Sequence, residues 1–144
     1  MKRLIFISTL FLLMGCGKNA QPINYGSDGC DFCRMTIVDK AHVAQLVTSK
    51  GKNFKFDAIE CMVHYLNQQE NDQNYHLLLV ADLSNPGETI DAKSAVYIIS
   101  KKIPSPMGAF LSALKTESEA EEIIAENGGE IYNWNEILNK LNHK

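Results

Sequence analysis

The chain has 144 residues, 45% of them hydrophobic and 22% charged, with a formal net charge of −3. That length holds one domain with a core of ordinary size once any targeting segment is removed. A mildly acidic chain without a basic stripe lacks the electrostatic footprint needed to bind a nucleic-acid backbone, so nucleic acid is excluded as a partner.

Lys2 and Arg3 precede an apolar run from Leu4 to Met14, and Gly15 stands just before Cys16. This is the layout of an export signal, and the run is shorter than the roughly 20 apolar residues of a spanning helix. Leu13-Met14-Gly15-Cys16 is similar to a bacterial lipobox, which predicts a signal peptide over 1–15 and a lipidated Cys16; an ordinary cleaved secretory signal is the alternative. Either way the protein belongs outside the cytoplasm, and the lipidated form belongs in the cell envelope, anchored to the membrane and facing the periplasm or the cell exterior. Loss of Lys2 and Arg3 takes the net charge from −3 to −5, so attachment must come from lipid rather than from basic residues.

Residues 16–29, rich in Gly, Asn, Ser and Asp, read as a flexible tether with a coil reach of roughly 20 Å. The domain then runs over 30–144. Thr36-Ile37-Val38 is β-branched and reads as a strand, as does Val43 to Val47. Ser49-Lys50-Gly51-Lys52 reads as a hairpin turn into a strand where Phe54 and Phe56 alternate with Asn53 and Lys55. Asp57 and Glu60 resemble a capping box for a helix to about Gln69, with Ile59, Met62, Val63 and Leu66 on its inner stripe. Leu77 to Ala81 and Ser94 to Ser100 read as buried strands with a turn at Asn85-Pro86-Gly87 between them. Pro104 and Pro106 frame a rigid loop, and Ala109 to Leu114 reads as a short helix. Thr116 with Glu119 caps a helix that stops at Asn127-Gly128, Ile131-Tyr132 reads as a short strand, and Asn133 with Glu136 caps a last helix carrying Trp134, Ile137, Leu138 and Leu141.

Chemistry concentrates at Cys30-Asp31-Phe32-Cys33-Arg34-Met35. Two thiols and a thioether in one turn point to a soft-metal site, Cu(I) first, because a neutral thioether suits that ion and is a poor ligand for harder ones. A disulfide or half of a zinc site is the alternative for Cys30 and Cys33. No second paired motif completes a zinc ribbon. Arg34 stands where a c-type haem would need His, and strand-like residues follow Cys33 where a thioredoxin-like pair would open a helix. With Cys16 lipidated, Cys30, Cys33 and Cys61 leave an odd thiol in an oxidising compartment, which a ligand role explains better than stapling.

Cys61 lies early in its helix and away from the apolar stripe, with His64 near it, so it is either a third thiolate or a buried inert thiol. Met62 falls on the stripe, which favours packing over ligation. Met35 and Met107 are each candidates for ligation or for core filling. His42, His76 and His143 show no partner pattern, and Asp57 reads as a helix cap.

Three blocks in order, Cys30-Asp-Phe-Cys33-Arg-Met35, Phe56-Asp57-Ala-Ile-Glu-Cys61-Met62 and Pro104-Ser105-Pro106-Met107-Gly108, resemble the signatures of NosL-type lipoproteins, accessory proteins of nitrous oxide reductase. The resemblance runs from Cys16 to about Leu114. It departs from the family pattern at Ala58, where a second acid usually follows the aspartate. It implies an α+β fold of two small ββαβ-like units with antiparallel strands and packed helices, similar to part of organomercurial lyase. It implies a membrane-tethered Cu(I) chaperone serving the reductase's copper centres with an ABC-type maturation complex.

The expected activity is capture, not catalysis, with Cu(I) held by donors drawn from Cys30, Cys33, Met35, Cys61 and Met107, and with Met62 and His64 as weaker candidates. The rivals are a thiol–disulfide redox lipoprotein using Cys30 and Cys33, and a structural zinc module serving as an interaction domain.

Overall fold

Alternation of Phe54 and Phe56 with polar neighbours produces the strand it predicts. In the computed structural model, which describes residues 17–69 and 74–142, β1 (Ala44–Thr48) and β2 (Asn53–Phe56) form an antiparallel hairpin pairing Ala44 with Phe56 and Val47 with Asn53. The signal segment and Cys16 lie outside the described residues. Helix α1 (Ile59–Gln68) follows, burying Ile59, Met62 and Val63, and returns the chain to β3 (Tyr75–Ala81), which pairs with the other side of β1. A short β4 (Thr89–Asp91), not anticipated from the sequence, extends this sheet to the order β2-β1-β3-β4.

The second half takes the same course. β5 (Val96–Ile99) and β6 (Leu111–Leu114) pair antiparallel, α2 (Glu117–Asn127) crosses, and β7 (Glu130–Tyr132) pairs with the free side of β5, giving the order β6-β5-β7. Each half therefore reads strand, strand, helix, strand with its first strand central, the expected α+β fold of two ββαβ-like units. Helix α3 (Trp134–Asn142) buries Trp134, Ile137 and Leu141, and it packs on α1.

Two of the three expected capping boxes form. Thr116 and Glu119 exchange bonds at the start of α2, and Asn133 and Glu136 do so at α3 with distances of 2.7 and 3.1 Å. The third does not: Ala58 takes the N-cap position of α1 without a side-chain bond, which frees Asp57 and Glu60 for other partners. Two further readings are corrected. Thr36 to Val38 makes only one bridge, Thr36 to Gly29, and Ala109 to Leu114 is strand rather than helix from Leu111 onward. Phe110, with φ at 57°, breaks any helical run there.

Two polar devices fix the frame around the site. The stretch read as a free tether lies along β2 from Asn19 on. Asn53 donates to Asn19 O and accepts from Gln21 N at 2.9 Å, while Lys55 Nζ reaches Pro22 O at 2.7 Å and Asp28 at 2.6 Å. The Lys55 bond holds the Asp28 carboxyl below its usual range. This strap covers an edge strand that would otherwise expose unpaired backbone groups. The other device joins the halves: buried His42 meets Asp39 Oδ2 through Nδ1 at 2.8 Å and Ser112 Oγ on β6 through Nε2 at 3.0 Å.

Candidate metal centre

The strap delivers the chain to a tight turn. Cys30 N donates to Met35 O at 2.8 Å, Arg34 N donates to Cys30 O at 3.1 Å, and Arg34 adopts a left-handed φ of 70°. Cys33 N points at Cys30 Sγ, 3.5 Å away. A non-glycine residue in the left-handed region costs on the order of 1–3 kcal/mol. The turn accepts it in order to bring both thiols to one side.

Asp31 then fastens the turn to β2, its N donating to Lys55 O and its Oδ2 accepting from Lys55 N, both at 2.8 Å. β2 ends one residue further on, at Phe56, so Asp57 and the first turn of α1 lie beside the two cysteines. Residues four apart on a helix share a face. Asp57 and Cys61 show that spacing across the helix start, and the result is a cluster: the ligand atoms of Cys30, Cys33, Asp57 and Cys61 all lie within 4.8 Å of one another. Cys33 Sγ is 3.3 Å from Asp57 Oδ1. All three cysteines are free thiols; Cys30 and Cys61 are buried and Cys33 is half-buried, so Cys33 is the most accessible sulfur of the group.

The thiols do not share protons equally. Cys30 is pulled down to about 6, chiefly by the hydrogen bond from Cys61, with backbone donors near Asp57, Cys33 and Phe32 helping against burial. Burial first, then the neighbouring Cys30 and Asp57, pushes Cys33 up to about 11. Cys61 is raised, first by the hydrogen bond it donates to Cys30, then by burial and by Asp57. At neutral pH these directions leave one thiolate, at Cys30, flanked by two thiols, with the Asp57 side chain beside them. Such a set suits a cation that takes thiolate donors and expels protons on binding.

The structure brings Cys30, Cys33 and Cys61 together as anticipated and adds Asp57, whose place the cap reading concealed. The spacing of Asp57 and Cys61 was the available signal. Met62 is fully buried on the inner stripe of α1 and packs the core. Met35 is 54% exposed while Ile37 is fully buried, so Met35 does not fill the core with it. Met107 is 43% exposed on the Pro-framed loop. His64 stacks on Phe32 with ring centroids 5.8 Å apart, against the cysteine turn but outside the four mutually close donors.

The profile of the NosL family matches residues 23–141. The chain belongs to the NosL family. The copper-binding lipoprotein NosL of Stutzerimonas stutzeri is 29% identical over 149 aligned positions, covering 93% of this chain and 78% of that protein. The crystal structure of the copper chaperone NosL from Shewanella denitrificans superposes with a TM-score of 0.72 at 23% identity, covering 83% of this chain and 96% of that one. At that identity the superposition establishes the NosL fold. The family match spans the cysteine turn, Asp57, Cys61 and the loop carrying Met107.

Proposed function

We propose that this NosL-family protein is a membrane-tethered Cu(I) carrier that captures copper in the Cys30, Cys33, Asp57 and Cys61 cluster and releases it to a client. The observation that carries this reading is the convergence of three free thiols and one carboxylate within 4.8 Å. The names of its relatives, a copper-binding lipoprotein and a copper chaperone, support copper as the cargo.

Thiolates supply the affinity. Capture begins at Cys30, already ionised, and the protons of Cys33 or Cys61 leave as further sulfurs engage. Exposed Met35 and Met107 add thioethers, which hold a soft ion without titrating and exchange easily during transfer. The half-buried Cys33 is the sulfur through which a partner's ligand gains access. Copper is cargo throughout, and no catalytic step is assigned. Lipidation of Cys16 ties the carrier to the envelope, and by resemblance the client is nitrous oxide reductase with its ABC-type maturation complex.

The test is a competition titration of the reduced chain from Gly17 onward against a Cu(I) chelator, with Zn(II) in parallel. We expect Cu(I) to win, with Cys30→Ser and Cys61→Ser each weakening it by at least about tenfold, a metal-affinity loss on the scale of a supporting ligand's removal. Asp57→Asn is expected to lower Zn(II) affinity more than Cu(I) affinity, since the carboxylate oxygen suits the harder ion. A preference for Zn(II) would make the cluster a zinc site, and no binding of either metal would leave a redox pair.

A further inference from the structure

Glu60 precedes Cys61 in α1 and reaches the Pro-framed loop with its carboxyl group. Its side chain is 1% exposed, and its Oε1 accepts from Ser105 Oγ at 2.5 Å and from Ala109 N at 3.4 Å. Its Oε2 is buried without a hydrogen-bond partner. A carboxylate on a helix surface would avoid that desolvation. Here it is kept next in sequence to Cys61.

What Glu60 grips is a turn. Gly108 N donates to Ser105 O at 3.0 Å, closing Ser105-Pro106-Met107-Gly108, with Pro106 fixing one central residue and Gly108 accepting a φ of 78°. Met107 is the other central residue and is left 43% exposed. Ser105 and Ala109 flank it two residues to either side, so one buried oxygen holds both shoulders of the turn against the first turn of α1. A methionine on a free loop would lose much conformational freedom on binding an ion, because the side chain is long and unbranched. A clamped backbone has already lost part of it.

We propose that Glu60 is a positioning residue that holds the Met107 thioether ready at the mouth of the sulfur cluster, as a preset donor for metal entering or leaving. The inference rests on the Cu(I) reading of that cluster.

The test combines Cu(I) affinity with the 13C-methyl NMR signal of Met107 in the reduced protein, for wild type, Met107→Ala, Glu60→Ala, Glu60→Gln and the Glu60→Ala/Met107→Ala double variant. Cu(I) is expected to shift the Met107 methyl in wild type and not in Glu60→Ala. Met107→Ala and Glu60→Ala are each expected to weaken Cu(I) by about tenfold, as loss of an outer-shell partner does, and the double variant no more than either. Glu60→Gln, which keeps an oxygen for Ser105, recovers most of the loss. If Glu60→Ala does not fold, Ser105→Ala cuts the same clamp from the loop side and carries the same expectation. Additive losses, or a Met107 methyl unmoved by Cu(I) that binds at the thiols, would overturn the positioning role and leave the carrier intact; wild type that binds no Cu(I) would overturn both.

Discussion

Three thiols within one contact distance would share their protons at random if their surroundings were equal, but Cys30 receives the bond from Cys61 and the backbone donors, so the charge settles there. A group held at about 6 in the fold, against an ordinary thiol value of 9.0, stabilises the folded state above that ordinary value and loses the contribution as pH falls toward 6. Cys33 and Cys61, both raised, work in the opposite sense above the ordinary value, where the unfolded chain gives up protons that the fold retains. In reduced, metal-free protein the urea midpoint is therefore expected to climb from pH 6 to pH 9 and decline beyond it, with Cys30→Ser flattening the climb; an equal climb in that variant would count against this assignment. The sulfur spacing in the sequence already pointed to these residues. Asp57 and Glu60 were hidden because a polar residue ahead of an apolar stripe fits a cap and a buried ligand equally well. Only the packing of the cysteine turn and the Ser105 loop at the start of α1 separates the two.

Elements with their own periodicity or caps were legible from the chain: the β1–β2 hairpin, the apolar stripe of α1, and the capped α2 and α3. Those that depend on a partner were not. β6 carries no alternation of its own, because all four of its residues are buried between α1, α2 and β3. β4 is three residues whose pairing with β3 decides their state. Close approach of elements is equally invisible in composition, and Gly129 shows how strict it is. A Cβ there would stand 2.3 Å from Ile99 O, at a φ of 121° that other residues avoid. Gly129→Ala is expected to cost about 1–3 kcal/mol through backbone strain at the start of β7, or more if β5 must shift. Urea denaturation measures it, and an unchanged midpoint would mean that β7 does not need its present register.

At the scale of the molecule, two similar halves depend on contacts that neither could make alone, and the His42 link between Asp39 and Ser112 is a polar one, as is the bond of Ser105 to Glu60. His42→Ala would leave the fully buried Ser112 hydroxyl without its partner and open a void, with an expected cost of about 1–3 kcal/mol. Cu(I) affinity of the folded fraction should stay as in wild type; a large loss would mean that the halves communicate with the cluster. The core closes around apolar side chains from both halves, Phe56, Tyr97 and Leu111 among them, so the fold is expected to form without metal. Circular dichroism after chelation should match the untreated spectrum, and an unfolded spectrum would argue for a structural metal. The strap along β2 bears on how such a carrier meets its client. With Asn19 already bonded to Asn53, only Gly17 and Lys18 separate the fastened chain from Cys16. A lipid there would hold the domain within about 10 Å of chain length, where a free coil would have let it wander roughly 20 Å. The domain would then be mounted rather than leashed, turning about one edge of its sheet, and on the proposed carrier reading a client would have to bring its own copper ligands down to the membrane to collect the ion.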